Sequence, residues 1–247
     1  MTLTDEEPVN FRGLPMTMDK DTTNAESSIP AMTHTLVKAS CEIGLSLGKR
    51  EIYLFVEYYR ELLFWNRKIN LVSPRSLKDT AVLHFVDSLT AAEYIENKEG
   101  ALIDIGSGAG FPGIPLKIIM PRLRVTLLEA SRRKASFLKE VTRKLGLDGV
   151  EVANARAEQL VGEDKYRGSF DVVVSRATFK LPEFIRLGAG FAAPGGILIA
   201  MKGPGVGVEL KAAEATIEDR GLVFSSWRAF ELPLAGGERK LLIFQKN

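Results

Sequence analysis

The chain has 247 residues, 45% hydrophobic and 26% charged, enough for one α/β domain with an appendage and a sizeable core. Its formal charge of +2 names no partner; the single cysteine, Cys41, excludes an intramolecular disulfide, and two histidines, His34 and His84, exclude a histidine-rich metal site, so no metal is expected. No apolar run approaches the roughly 20 residues that span a bilayer, and no basic segment followed by an apolar run opens the chain, so a cytoplasmic protein without a membrane anchor is expected.

Residues 1–33 are polar and aperiodic and read as a disordered tail. Residues 34–97 read as a helical N-terminal extension. Leu36, Val37, Ser40, Ile43, Gly44 and Leu47 fall at helical spacing, and Gly48 is a stop. A second helix covers Lys49 to Arg67, with Ile52, Phe55, Val56, Tyr59, Leu62 and Leu63 as a core-facing stripe. It ends in Trp65-Asn66-Arg67-Lys68-Ile69-Asn70-Leu71, which is either a solvated helix end or a rim for phosphate or a base. A third helix is expected from Ser76 to Ile95, burying Val82, Phe85, Val86 and Leu89. His84 and Asp87 share one face of it, and a local hydrogen bond between them is the simplest expectation.

From residue 98 to 247 strands and helices alternate. Strands are expected at Leu102–Ile105, Arg124–Glu129, Val150–Ala153, Phe170–Ser175 and Gly196–Met201. Helices fall at Pro115–Met120, Arg132–Leu145, Ala157–Leu160, Leu181–Phe191 and near Glu209–Arg220. This alternation predicts a parallel sheet with right-handed crossovers. Two last apolar segments, Leu222–Leu232 and Arg239–Gln245, are joined too closely for a parallel crossover and predict an antiparallel hairpin.

Asp104-Ile105-Gly106-Ser107-Gly108-Ala109-Gly110-Phe111-Pro112-Gly113 is a strand end running into a glycine-dense turn. Glycines let such a turn take φ > 0 and approach a ligand closely. The string matches the G-x-G-x-x-G dinucleotide fingerprint, yet Pro112 and Pro115 remove N–H donors that a pyrophosphate needs. S-adenosylmethionine has an ammonium and a sulfonium instead, and an acid at Asp104 suits its ammonium. Glu129 ends the second strand about twenty residues on, the spacing at which an acid reaches a ribose diol in either kind of site. Ala155-Arg156-Ala157-Glu158 follows the third strand, where a backbone N–H and a carboxylate can read an adenine edge; an acid near a helix start is the plainer reading.

These blocks, with Trp65-Asn66, Ile69-Asn70-Leu71, His84, Asp87-Ser88-Leu89, Ser175-Arg176-Ala177, Lys202-Gly203 and Gly237-Glu238-Arg239, occur in an order that carries a resemblance. From about Gly44 to Phe244 the chain resembles the bacterial small-subunit ribosomal RNA guanine-N7 methyltransferases, the glucose-inhibited division protein B family. Thr178-Phe179-Lys180 departs from the usual continuation. The resemblance implies a class I, Rossmann-like methyltransferase fold, a mostly parallel seven-stranded sheet with the last strand antiparallel. It implies S-adenosylmethionine as donor, S-adenosylhomocysteine as product, and one guanine of 16S rRNA as acceptor, position 527 in standard rRNA numbering. Carried over by position, Gly106 and Phe111 line the cofactor, Glu129 holds the ribose, Ala157 and Glu158 the adenine, and Arg176 the far end of the cofactor or the substrate; Asp104, Ser107 and Gly108 of the same turn are further candidate cofactor-binding residues.

Guanine N7 has an in-plane lone pair, so no general base is expected. Arg176, Lys202 and Arg239, at or beside strand ends, are the candidate substrate rim. Arg132, Arg133, Lys134, Lys139, Arg143 and Lys144 crowd one helix, and Arg60, Arg67, Lys68, Arg75 and Lys78 form a second cluster; two clusters beside a cofactor mouth predict salt-sensitive RNA binding. The partner is 16S rRNA or the small ribosomal subunit, and a monomer is expected. The competing readings are an NAD-dependent oxidoreductase and a non-catalytic RNA- or ribosome-binding module.

Overall fold

In the computed structural model, residues 20–73, 77, 79–234 and 237–247 are described. Seven strands form one sheet: β1 Ala101–Ile105, β2 Arg124–Leu128, β3 Val150–Ala153, β4 Phe170–Arg176, β5 Ala192–Lys202, β6 Leu222–Glu231 and β7 Glu238–Lys246. Their order is β3-β2-β1-β4-β5-β7-β6. β1 to β5 run parallel, and β7 runs antiparallel to both neighbours, β5 and β6. The expected hairpin is therefore present, with β7 inserted between β5 and β6.

Both faces of the sheet are covered at its centre, where β1, β2 and β4 are apolar at most positions, whereas the edge strand β6 is largely exposed. On one face Leu102, Val125, Leu127, Val172, Val174, Ile199 and Ile243 join a core with the N-terminal helices. Ile103, Ile105, Leu128, Val173, Leu198, Leu242 and Phe244 alternate with them and face the other core. The first face is covered by α1 (Lys20–Glu42), α2 (Lys49–Asn66), α3 (81–94), α4 (Gly113–Ile119) and α5 (Arg132–Lys144). The second is covered by α6 (Ala157–Leu160), α7 (Leu181–Phe191) and α8 (Val206–Asp219). The N-terminal helices thus have no core of their own; they are one layer of the sheet's core.

Two expectations for the N-terminal part are corrected. Helix α1 begins at Lys20, so residues 20–33, read as tail, are helical; residues 1–19 lie outside the described residues. The reason is tertiary: Met32, Leu36 and Ala39 are buried, and Ser28 Oγ lies 3.3 Å from Tyr59 Oη. The third helix is not one regular α-helix. A π-helical turn, Ala81–Val86, leads into an α turn, Asp87–Leu89, and a 3-10 turn, Thr90–Tyr94. In the π turn the Asp87 N–H bonds to the carbonyls of Val82 and His84. In a regular α-helix it would take the Leu83 carbonyl, which here stays free for another donor.

Candidate active site

The strand β1 delivers the chain to the topological switch point, between β1 and β4, where ligands of open α/β sheets bind. The loop that follows is tied down by its own backbone. Gly106 and Ser107 donate to Leu128 O at 2.9 and 3.0 Å, and Gly110 and Phe111 donate to Ser107 O at 2.7 and 3.0 Å. Gly108 N donates to Glu129 Oε2, Gly113 N to Asp104 Oδ2 (both 2.9 Å), and Ile114 N to Gly110 O at 2.8 Å. Pro112 is the N-cap residue of α4 and Pro115 its third residue. At the start of α4 the amides of Gly113 and Ile114 are thus already bonded, and Pro112 and Pro115 have none.

Asp104 is wholly buried beneath this loop. It positions the loop by accepting from Gly113 N. Burial first, against the Gly113 and Ser107 hydrogen bonds, raises its carboxyl to a pKa of about 7, and its Oδ1 has no partner. Gly106 and Gly108 sit at φ +75° and +58° on the partly open side of the turn. Glu129 is buried at the end of β2, its Oε1 accepting from Ser131 N at 2.7 Å. Asn154, beyond β3, donates to the Glu129 carbonyl at 2.8 Å and locks the ends of β2 and β3 together. Ala157 is buried and Glu158 exposed in the first turn of α6, at the end of β3. The structure therefore gathers Gly106, Ser107, Gly108 and Glu129 tightly, with Ala157 and Glu158 on the neighbouring strand end.

Arg176, at the end of β4, stands on the other side of the loop, its guanidinium carbon 5.0 Å from the Phe111 ring centroid. Its Nη1 donates to Leu83 O at 2.8 Å, the carbonyl freed by the π turn, and to Asp87 Oδ2 at 3.0 Å. Its Nη2 donates to His84 Nδ1 at 2.9 Å. Hence His84 and Asp87 do not serve each other, as expected, but share Arg176. A π turn at a functional element is a recurrent device; here it turns a carbonyl, an imidazole and a carboxylate towards one guanidinium. His84 stacks on Phe111 (centroids 4.8 Å apart, planes 8° apart). Burial, then Arg176 and Arg239, lowers its pKa to about 3, so the ring is neutral. With Nδ1 accepting, the proton sits on Nε2, which is buried without a partner.

Beyond Arg176 opens a cleft of about 370 Å³ whose lining includes His84, Asp87, Arg176, Lys202, Arg239 and Lys240. The three expected rim residues thus meet in one place. Arg239 Nε lies 3.5 Å from Asp87 Oδ1, and Lys202 Nζ is 2.9 Å from Glu209 Oε2. A larger groove, about 1320 Å³, lies between the α1–α2 turn and the β6–β7 hairpin, and its lining contains none of the loop residues.

Sequence reasoning missed Tyr58, fully buried in α2, whose hydroxyl donates to Ala109 O under the loop. It also missed Thr178, which donates to Gly106 O and Arg176 O (both 3.1 Å) and bridges the two strand-end loops. The departure of Thr178 from the family pattern was the one available signal. Trp65 and Asn66 prove structural: Trp65 packs edge-on against Phe137, and Asn66 Oδ1 accepts from Leu71 N and Val72 N. Arg75 and Lys78 lie outside the described residues. Among the described residues no group of three metal-ligating side chains occurs, and no helix is long and apolar enough to cross a membrane.

The reversed β7 inside a β3-β2-β1-β4-β5-β7-β6 sheet, with an acid ending β2 beside a glycine loop, defines a class I, Rossmann-like methyltransferase fold. TYW2 of M. jannaschii, solved in complex with AdoMet, superposes with a TM-score of 0.51 at 16% identity, covering 65% of this chain and 74% of that one. At that identity only the fold is shared. The family model described as rRNA small subunit methyltransferase G matches residues 51–240. The ribosomal RNA small subunit methyltransferase G of Syntrophus aciditrophicus is 44% identical over 211 residues, 85% of this chain and 88% of that protein. That of Carboxydothermus hydrogenoformans is 40% identical over 205 residues, 83% and 87% of the two chains. The chain belongs to the rRNA small subunit methyltransferase G family.

Proposed function

We propose that the protein transfers a methyl group from S-adenosylmethionine to N7 of a single guanine in 16S rRNA, position 527 in standard numbering. The observation that carries this reading is the adjacency of two sites across Arg176. On one side lies the glycine turn, with Gly106 and Gly108 half-buried beside Glu129; on the other, a cleft lined by cations. S-adenosylmethionine supplies a methyl already activated on a sulfonium. The residues fit that group: Glu129, oriented by Gly108 N and Ser131 N, would accept the ribose hydroxyls, Gly106, Ser107 and Gly108 would give backbone clearance, and Ala157 and Glu158 would meet the adenine. Phe111 and Arg176 would close the end facing the acceptor. The first residues of α4 have no free amide for a dinucleotide pyrophosphate, which weighs against the oxidoreductase reading.

Guanine N7 needs no proton removed before it attacks. Accordingly the cleft lining has no free base: His84 is neutral with its Nδ1 occupied, and both Asp87 oxygens face guanidinium groups. The protein's task is to bring the acceptor into line, a contribution that can reach ~7–11 kcal/mol. It acts as a cytoplasmic monomer, and the exposed cations at the start of α5 draw RNA to the site. The test is methyl transfer from labelled S-adenosylmethionine to small subunits lacking the modification, followed by nucleoside mapping. Label in 7-methylguanosine at one position is expected. Binding without transfer would leave the non-catalytic module as the answer.

A further inference from the structure

The cleft beyond Arg176 contains more donors than its surroundings use. His84 is 9% exposed, it lines the cleft, and its Nε2–H is buried with no acceptor. Arg176 spends Nη1 on Leu83 O and Asp87 and Nη2 on His84. Arg239 reaches Asp87 only at 3.5 Å through Nε, and its Nη1 bonds the Glu238 carbonyl at 3.1 Å. The one carboxylate in the lining, Asp87, has one oxygen on each arginine. Lys202 is held by Glu209 at 2.9 Å and by the Phe179 carbonyl, Lys240 by Glu238 and by the Pro204 carbonyl, each at 3.0 Å, and neither glutamate lines the cleft. The remaining lining residues, Leu83, Ala177, Met201, Gly203, Phe230 and Leu241, bring no polar side chain.

A guanine edge presents donors at N1 and N2 as well as acceptors, and it needs a free acceptor to pair them. None is left here. A group made only of acceptor oxygens, carrying negative charge, matches the lining. We propose that this cleft is a phosphodiester pocket that grips the RNA backbone next to the reacting guanine. The Arg176 and Arg239 guanidinium groups form the inner donors, with His84 fixed against Arg176 behind them, and Lys202 and Lys240 the rim. The proposal rests on the methyltransferase reading above. It places Arg176 as a wall shared by the cofactor loop and the backbone pocket, so that seating one phosphate sets the reach of the adjacent base.

Two measurements on the full chain test it. First, the salt dependence of binding to an unmodified 16S rRNA fragment is compared for the wild type and Arg239→Gln. The variant is expected to lower the slope of log K against log salt by roughly 0.7–0.9, with S-adenosylmethionine affinity by calorimetry unchanged. An unchanged slope overturns the proposal. Second, inorganic phosphate is added to the methyl-transfer assay at constant ionic strength. Inhibition competitive with RNA and not with S-adenosylmethionine is expected; inhibition equal to that by matched chloride overturns the proposal without any variant having to fold. If the wild type transfers no methyl to any subunit, the functional reading itself fails, which the binding slopes report separately.

Discussion

Asp104 and His84 are buried ionisable groups whose environments act on stability in opposite directions. The folded-state pKa of Asp104 is raised, to about 7, so its contribution is fully present below its ordinary carboxylate value and is lost as pH rises through 7. That of His84 is depressed, to about 3, so its contribution is present above the ordinary imidazole value and is lost as pH falls towards 3. Between about pH 4 and 6.5 the two slopes oppose each other in the wild type. Asp104→Asn keeps an acceptor for Gly113 N and removes one slope; His84→Phe keeps the stack on Phe111 and removes the other. Thermal melts from pH 4.5 to 8 are expected to show the Asn variant gaining on the wild type as pH rises and the Phe variant losing ground. The end-to-end change is roughly 5 °C or more for a chain of this size. Melting curves that stay parallel across that range would contradict the assignment. Of these two residues only the presence of Asp104 behind the turn was legible in sequence. Its burial was not, because a strand-end acid looks the same whether it faces the ligand or the loop. The sharing of Arg176 by His84 and Asp87 was hidden more deeply, since it depends on an irregular turn and a partner 89 or more positions away.

At the scale of elements, the two strand-end loops are joined by one side chain that the sequence made unusual without explaining. A Cβ built at Gly106 would lie 2.5 Å from Thr178 Cγ2, in a backbone at φ +75°. Gly106→Ala is therefore expected to cost about 1–2 kcal/mol for the left-handed conformation alone and to weaken S-adenosylmethionine binding. Adding Thr178→Ser removes the methyl and keeps the hydroxyl that bonds Gly106 O and Arg176 O. Calorimetry should show partial recovery of affinity in the double variant, because the steric clash is relieved and the backbone strain is not. The α1 helix offers a second element-scale test. Removing residues 1–33 strips Met32 from the core and uncovers Tyr59, whereas removing 1–19 leaves both. The longer deletion is expected to lower Tm by several degrees, in line with about 1.5–3 kcal/mol for one buried methionine; equal melting of the two would mean that 20–33 adds nothing. The strands and the hairpin were legible because periodicity and loop length constrain them locally. The start of α1 was not, because its polar face dominates the composition and its few apolar residues acquire meaning only against α2.

Over the whole molecule the charges sort themselves by what they already hold. On α5, Arg143 is paired with Glu140 at 2.9 Å and Lys144 with Glu61 at 2.6 Å, so the far end of the basic helix is committed to the protein. Arg132 and Arg133 are exposed at its start, and no described carboxylate lies within ion-pair distance of them or of Lys134. That start follows directly on Glu129 and Ser131 at the carboxyl edge of the sheet, and Trp65 against Phe137 brings the end of α2, with Lys68, to the same edge. A basic cluster that reads as one stripe in sequence is thus two populations in space. The consequence is quantitative. Replacing Arg132, Arg133 and Lys134 with glutamine should lower the salt slope of RNA binding by roughly 0.7–0.9 for each phosphate no longer neutralised, and affinity most at low salt. Replacing Arg143 and Lys144 should change thermal stability slightly and leave the slope alone, because those cations release no counterions on binding. Filter binding across a range of potassium chloride concentrations separates the two. If both sets moved the slope equally, the pairing of Arg143 and Lys144 would be irrelevant to RNA, and the whole helix rather than its first turn would have to lie along the backbone.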